Sequence, residues 1–491
     1  MSAAVTSSGT AHLRDRALGF RLGQYTMAMT HKILRSDCVL DANVYIVHSS
    51  NTVTAEEARM HITAHLDVDV VAVETDDEVS VLIELTAPAA ATAPRSHLAR
   101  TLQVVLDRSG SMSGERLSGA ISALLSLVDR LDPYDNFGLV AFDDNVQLTV
   151  PAGLMTDKPA ARRAITALIS GGGTDLSGGY LRGVQEARRV AGPGGATVLV
   201  ISDGHANLGV TDATTLAGVA AEAHRHGLIT STLGWGLGYD ERVMSAIARG
   251  GSGNELFAEN SDQAVALITG EVDGLLTQTA QAASVLIRPS RHVRTVHVVN
   301  DLSVTTSKHG ILAELGSFYA DETRKLMVTL EVPAVPALGL AQIATLEFSY
   351  VELPSLKQHM IMVPLHVNVV PGDQAAGRVA DPVVRSELLY QRVQLAKRRA
   401  SSHLSVGDVS AALVELHEAQ QAVHLALSAQ PPPPIAADLA EEAQALAYLV
   451  DESEQGSTTR AAKYSSMDSS FKSHKRGRHR PRATPGSTSD T

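Results

Sequence analysis

The sequence predicts an α/β protein whose central part is a doubly wound, mostly parallel β-sheet. Between about residues 96 and 280, short apolar runs rich in β-branched residues alternate with helical patterns, which is typical of parallel βαβ units. Before and after this region, apolar and polar residues alternate with the period of strands. Beyond residue 371 the spacing becomes helical. We therefore expect a flanking antiparallel β-sandwich and a C-terminal helical segment.

The central elements can be placed from the same patterns. Four near-continuous apolar runs indicate parallel strands buried on both faces, and a fifth run at 145–150 is predicted to pair as an antiparallel edge strand. The four parallel strands are predicted at 101–106, 136–142, 196–202 and 228–233. Helices are predicted near 115–131, 158–169, 177–190, 212–226 and 240–249.

The strand segments on either side of the central domain can belong to one β-sandwich or to two separate β units. Strand patterns occupy 56–95 and 281–371, on the two sides of the predicted central domain at 96–280. We expect the two segments to form one sandwich into which the central domain is inserted; two separate β units are the alternative. Residues 372–452 are predicted to form a helical hairpin, divided by the prolines at 431–434.

The two ends of the chain carry weaker signals. Residues 1–55 have mixed polarity and weak periodicity, so we predict partial disorder there and assign no role. Residues 453–491 are predicted to be a disordered basic tail, because basic residues accumulate from Lys472 onward with Asp490 as the single acidic one. Such a tail is either a solvated extension or an electrostatic arm for nucleic acid or an acidic partner. No aromatic residue follows Phe471, which argues against base stacking.

The composition of the chain limits the classes of function that it can have. The chain has 491 residues, of which 44% are hydrophobic, so it can bury two or three cores. No run approaches the roughly 20 apolar residues of a membrane span, and we expect neither a signal peptide nor a membrane anchor. Cys38 is the single cysteine, which excludes an intrachain disulfide and favours the cytoplasm. The net charge of −12 disfavours nucleic-acid binding.

The most informative motif follows the first predicted central strand. Asp107, Ser109 and Ser111 place one carboxylate and two hydroxyls on a single tight turn. Thr174 follows a run of three glycines, and Asp203 ends another apolar strand. Because the carboxyl ends of parallel strands lie at the same edge of a sheet, we expect these five side chains to meet there. Hard oxygen donors of this kind favour Mg²⁺.

This set resembles the metal-ion-dependent adhesion site of von Willebrand factor type A domains, which share their fold with integrin I domains. That site has an Asp-x-Ser-x-Ser loop, a threonine in a later loop and an aspartate after the fourth strand. Residues 135–142 also resemble the family's second strand, and Ser202-Asp203-Gly204 resembles its usual Thr-Asp-Gly. The resemblance covers roughly 98–280 and extends to the layout of multidomain bacterial members.

The resemblance implies roles for the five residues. Ser109 and Ser111 would be direct metal ligands, Thr174 a ligand in some states, and Asp107 and Asp203 would act largely through water. The cofactor would be Mg²⁺, with Mn²⁺ or Ca²⁺ as alternatives. Neutral hydroxyl ligands leave the cation electron-poor, so we expect it to attract a Glu or Asp carboxylate from a partner protein.

We therefore predict a non-enzymatic, Mg²⁺-dependent protein-binding module. The alternative is a regulatory or assembly subunit that acts beside a partner ATPase or metal chelatase. A hydrolase is a third class, but no arrangement of base and metal shell supports turnover. No phosphate-binding loop and no zinc-protease helix occur in the sequence.

Some nearby residues are not assigned to the site. Asp143, Asp144 and Asp175 are interpreted as surface or capping residues. The segment 234–238 has three glycines but lacks the spacing of a dinucleotide-binding loop. We interpret it as a loop at the rim of the site, with Trp235 at a contact surface.

Overall fold

The computed structural model describes residues 60–89 and 99–474. The predictions for residues 1–55, including Cys38, and for the tail beyond residue 474 lie outside these ranges. The described chain begins with three strands that belong to the sandwich. They are β1 (His61–Leu66), β2 (Val70–Ala72) and β3 (Asp77–Thr86).

The central domain follows, with a six-stranded sheet in the order β6-β5-β4-β7-β8-β9. Its strands are β4 (Thr101–Asp107), β5 (Asn136–Phe142), β6 (Val146–Leu154), β7 (Ala196–Ser202), β8 (Leu228–Trp235) and β9 (Ser252–Ala258). Its helices are α1 (Glu115–Arg130), α2 (Lys158–Thr166), α3 (Leu176–Val190), α4 (Ala213–Arg225), α5 (Glu241–Gly250) and α6 (Ser261–Leu276). Only β6 runs antiparallel within this sheet.

This domain has the predicted fold class, and its sheet is covered on both faces. Apolar side chains of α1, α2 and α6 form the core on one face, and those of α3, α4 and α5 form the core on the other. The predictions omitted β9 and α6. β9 lacks a continuous apolar run because it contains Asn254 and Glu255, both buried. Asn254 donates to Glu271 at 2.6 Å, and such a pairing cannot be deduced from the local sequence.

The strands after the central domain complete a two-sheet sandwich. They are β10 (Gln278–Pro289), β11 (Thr295–Val298), β12 (Val304–Ser307), β13 (Gly310–Tyr319), β14 (Thr323–Val332), β15 (Gly339–Glu352) and β16 (Gln358–Val370). One sheet has the order β1-β3-β14-β11 and the other β12-β13-β10-β15-β16-β2. The early strands therefore lie in both sheets and share one core with the later ones. The central domain is inserted into this sandwich.

The chain then becomes helical. The helices are α7 (Gly372–Ala375), α8 (Pro382–Ser405), α9 (Val409–Ser428), α10 (Pro433–Glu454) and α11 (Thr458–His474). The prediction of a hairpin followed by a disordered tail from residue 453 is wrong for α11, which is helical and largely buried. α11 is rich in serine and lysine, so its sequence shows no apolar face. Its buried polar groups are satisfied by other parts of the fold: Ser465 donates to the carbonyl of Lys397 at 2.7 Å, and Ser466 donates to Glu255 at 2.7 Å.

Polar contacts join the helices to both other parts. Arg398 of α8 donates to Ser466 at 2.6 Å and to Glu255 of the central domain at 3.3 Å. Asn300 of the sandwich donates to the carbonyl of Ser473 at 2.9 Å. Among the described helices, none combines the length and the apolar character required to cross a membrane.

A buried charge cluster connects the helices to one another. Lys397 is fully buried and lies 2.6 Å from carboxylate oxygens of both Glu442 and Asp468. Lys472 pairs with Glu442 and lies 3.2 Å from Asp468. Burial opposes ionisation of Glu442, but the charges of Lys397 and Lys472 outweigh it and lower its pKa.

We predict that Glu442→Gln lowers the free energy of unfolding by about 3 kcal/mol at neutral pH, because it removes one member of a buried ion pair. A carboxyl whose folded-state pKa is lowered adds stability above its unfolded-state pKa, near 4.3, and loses it as the pH falls through the folded value. The deficit of the variant should therefore shrink as the pH falls below about 4. Thermal unfolding across this range measures it.

Glu441→Gln is the matched control, because Glu441 is an exposed neighbour that lies 3.6 Å from Lys472. It should change stability little at any pH. A deficit in Glu442→Gln that does not vary with pH would contradict the role assigned to its charge.

Candidate metal centre

The first part of the site is the turn that follows β4. Asp107 is the last residue of that strand, and its Oδ1 accepts a hydrogen bond of 2.8 Å from the backbone N–H of Ser109. The Oγ atoms of Ser109 and Ser111 share a hydrogen bond of 3.0 Å. Met112 is fully buried and holds the turn in the core. The three predicted donors of this motif therefore lie together.

The loop after α2 brings in Thr174. Gly110 N–H donates to the carbonyl of Gly172 at 3.2 Å, which places the two loops in contact. Gly172 has a φ of 70°, and a Cβ there would collide with the carboxylate of Asp144. A residue without a side chain is therefore required at this position. Thr174 N–H donates to Oδ1 of Asn207 at 2.9 Å, which ties this loop to the one after β7.

The loop after β7 supplies Asp203. Ser111 Oγ donates to Oδ1 of Asp203 at 2.6 Å, and Ser202 Oγ donates to Oδ2 of Asp107 at 2.6 Å. A Cβ placed on Gly204 would lie 3.3 Å from Ser111 Oγ and 3.5 Å from Thr174 Oγ1. The two hydroxyls therefore face the same small space. The structure brings all five predicted side chains together at the carboxyl edge of the sheet.

The electrostatics of Asp107 are unusual for a carboxyl group. Burial raises its pKa, hydrogen bonds from Ser202 and Ser109 lower it, and the neighbouring charge of Asp203 raises it further, with a net increase. Within 60–89 and 99–474, no Lys, Arg or His forms an ion pair with Asp107. A cation bound nearby would favour its ionised form.

The donor set fits a hard divalent cation. The described ranges contain no group of three or more His, Cys, Asp or Glu side chains arranged to hold a metal, so a cation bound here would also need neutral oxygen donors such as hydroxyls. Ser109, Ser111 and Thr174 supply them, with two buried carboxylates beside them. Such an all-oxygen set suits Mg²⁺. Ser111 is exposed, so the site opens to the surface.

Sequence reasoning missed Arg116. It lies in the first turn of α1, and its guanidinium donates to Oδ2 of Asp203. The signal was available, because a basic residue is unusual beside the positive end of a helix dipole. A second arginine, Arg108, pairs with Asp143 at 2.9 Å.

Asp175, Asp143 and Trp235, which were not assigned to the site, have structural roles. Asp175 caps α3, where its Oδ1 accepts from Gly178 N–H at 2.9 Å, as the capping interpretation requires. Asp143 accepts from Asn145 N–H at 2.7 Å in a local turn. The placement of Trp235 at a contact surface is wrong. Its side chain is 1% exposed and packs in the core, because β8 extends to this residue.

Comparison with known proteins identifies the central domain. A family model described as von Willebrand factor type A domain matches residues 102–205, which include β4, β5, the two site loops and Asp203. This part of the chain is a von Willebrand factor type A domain. The predicted family and fold class are thereby confirmed.

The solved structure of a von Willebrand factor type A protein from Catenulispora acidiphila extends the likeness beyond this domain. It has a TM-score of 0.66 at 14% identity and covers 86% of this chain and 98% of that chain. At this identity it shows the fold alone. The shared fold therefore includes much of the sandwich and helices as well as the von Willebrand factor type A domain.

The chain also has relatives at the sequence level. The uncharacterized protein sll0103 of Synechocystis sp. is 26% identical over 330 residues, which are 65% of this chain and 77% of that protein. Inter-alpha-trypsin inhibitor heavy chain H1 of Mesocricetus auratus is 29% identical over 168 residues, or 32% of this chain and 18% of the heavy chain. Domains of this family generally mediate protein–protein interactions.

We predict that Asp107→Asn raises the unfolding temperature in the presence of a chelator, by roughly 2–4 °C, the shift that 1 kcal/mol produces in a domain of this size. The asparagine keeps acceptor and donor atoms for Ser109 N–H and Ser202 Oγ but removes a buried charge that no described cation neutralises. Calorimetric unfolding in EDTA measures the difference. Asp144→Asn is the control because Asp144 is exposed. A lower unfolding temperature in Asp107→Asn would contradict the prediction.

Proposed function

We propose that this chain is a non-enzymatic, Mg²⁺-dependent protein-binding module that recognises a Glu or Asp carboxylate of a partner protein. The observation that carries the proposal is the convergence of Ser109, Ser111 and Thr174 hydroxyls beside the buried Asp107 and Asp203. The interaction role that is general in the family supports it.

The five residues divide into two kinds in this proposal. The hydroxyls of Ser109, Ser111 and Thr174 would hold Mg²⁺, and Asp107 and Asp203 would supply compensating negative charge. Bound Mg²⁺ supplies a positive centre with affinity for a partner's carboxylate. Asp107 and Asp203 are nearly inaccessible, whereas Ser111 is exposed, so an incoming group meets the hydroxyl side.

Magnitudes show why the aspartates matter although they lie deeper. A carboxylate about 5 Å from a dication gains roughly 6 kcal/mol at an effective dielectric near 20, before desolvation is subtracted. Even a third of that exceeds the net value of one hydroxyl hydrogen bond, about 1 to 1.5 kcal/mol. Loss of either aspartate should therefore cost more metal affinity than loss of one serine.

The surface around the site favours a protein over a small anion as its ligand. Ile169 is 72% exposed and its carbonyl accepts from Arg108 at 3.4 Å; Leu208 is 43% exposed and its side chain lies against Gly173. Val210 is also exposed, and its N–H donates to Ser177 Oγ at 2.8 Å. We call Ile169, Leu208 and Val210 the apolar rim. Exposed apolar side chains beside a polar centre are typical of protein-binding surfaces.

We expect Mg²⁺ binding to be abolished in Asp107→Ala and Asp203→Ala and weakened less in Ser109→Ala. Isothermal titration of each purified protein with MgCl₂ measures this order. Ser113→Ala is the control, because Ser113 lies on the same turn but outside the site. Unchanged Mg²⁺ affinity in the Asp107→Ala protein would refute the assignment.

We expect Leu208→Ser to weaken partner binding by roughly tenfold while Mg²⁺ affinity stays unchanged, because Leu208 belongs to the apolar rim and contributes no ligand. Affinity capture in Mg²⁺, in EDTA and with Asp203→Ala first identifies proteins whose recovery requires the metal site. Their affinity for wild type and Leu208→Ser is then measured directly. Leu425→Ser, at an exposed leucine of α9, is the control. Equal affinity for Leu208→Ser and wild type would exclude the rim from the interface, and metal-independent recovery would argue against the module itself.

A further inference from the structure

The contact between Arg116 and Asp203 is part of the site but has no role in the function proposed above. The guanidinium of Arg116 donates to Oδ2 of Asp203, and Ser111 Oγ donates to Oδ1, so both carboxylate oxygens are occupied by donors. The side chain of Asp203 is fully buried, whereas that of Arg116 is 39% exposed. The Asp203 carboxylate is therefore held in place, whereas the Arg116 guanidinium can move into solvent.

Local helix energetics do not explain an arginine at this place. Arg116 is the second residue of α1, where unsatisfied N–H groups create positive potential. A cation there is unfavourable unless a nearby anion compensates for it. Asp203 supplies that anion from a loop 87 residues away in the sequence.

The loop after β8 leaves space for the guanidinium. Gly236 has a φ of 72°, and a Cβ built on it would lie 2.9 Å from a terminal nitrogen of Arg116. Gly238 lies against Asp203, since its Cβ would be 3.1 Å from the carbonyl oxygen of that residue. The loop after β8 therefore packs against both Arg116, which belongs to α1, and Asp203, which belongs to the loop after β7.

We propose that Arg116 is a resident counter-ion that competes with the divalent cation for Asp203 and so weakens metal affinity. This inference rests on the proposed function, because it concerns the same site. The positive charge of Arg116 neutralises Asp203 when no metal is bound. Metal binding then requires the guanidinium to leave Asp203 for solvent, or else places a dication beside a monocation.

The first test measures the pair without any metal. In EDTA, Arg116→Met should lower the unfolding temperature by about 2 °C, a small effect because Arg116 is partly exposed and screened. In an Asp203→Asn background the same substitution should not lower the unfolding temperature, because the carboxylate that pairs with Arg116 is absent and a cation at the start of the helix is then unfavourable. An equal effect in both backgrounds would overturn the inference.

The second test measures competition. Mg²⁺ titration by calorimetry should give roughly tenfold tighter binding in Arg116→Met than in wild type, since a positive charge beside the dication is removed. Arg116→Lys retains the charge and should bind with wild-type affinity. Arg130→Met removes the same charge from the far end of α1, about 20 Å away, and should also resemble wild type. The advantage of Arg116→Met should decrease at high salt.

The outcomes separate this inference from the proposed function. Equal Mg²⁺ affinity in wild type and Arg116→Met overturns the inference and leaves the module intact. Mg²⁺ binding by Arg116→Met but not by the wild type supports the inference, because the arginine then blocks the site completely. The same result refutes Mg²⁺-dependent function in the wild type. Absence of binding by both proteins overturns both.

Discussion

Two buried carboxylates at the carboxyl edge of a parallel sheet set the physics of this site. Asp107 is the last residue of β4, Asp203 follows the neighbouring strand β7, and the charge of Asp203 adds to the burial that raises the pKa of Asp107. Hydrogen bonds from Ser109 and Ser202 offset part of this cost, but hydroxyl and amide dipoles do not supply the charge that a nearby cation would. A fold that buries the Asp107 carboxylate without a cationic partner among the described residues sacrifices stability, a pattern that is common at functional sites.

The rest of the structure fixes the positions of these two strands. The sheet is covered by helices on both faces, and the whole domain is inserted between β3 and β10, two strands that lie in different sheets of the sandwich. The strands before and after the inserted domain therefore share one hydrophobic core.

The sequence predicted what depends on local chemistry and on general rules of topology. Near-continuous apolar runs revealed the strands that precede Asp107 and Asp203, and the rule that ligands bind at the carboxyl ends of parallel strands placed the two residues at one edge. Thr174 was found through its glycine run. Prediction from the sequence failed for elements that bury polar or charged side chains. β9 contains Glu255, and α11 contains Lys463; both residues are buried because distant partners satisfy them, Ser466 for Glu255 and Glu241 for Lys463. Arg116 was missed although a basic residue at the start of a helix is an unusual local signal; that signal does not identify the anion, which lies in another loop.

These polar contacts also link the last helix to the site. The ammonium group of Lys463 lies 3.8 Å from the centre of the Tyr239 ring and donates to the carbonyl of Tyr239 at 2.7 Å. Tyr239 belongs to the loop in which Gly238 packs on the backbone of Asp203 and Gly236 accommodates Arg116. The position of this loop is thus fixed from one side by α11 and from the other by the site. Because close-packed interiors transmit strain, we expect a displacement of α11 to reach the loop that borders Asp203 in the candidate site.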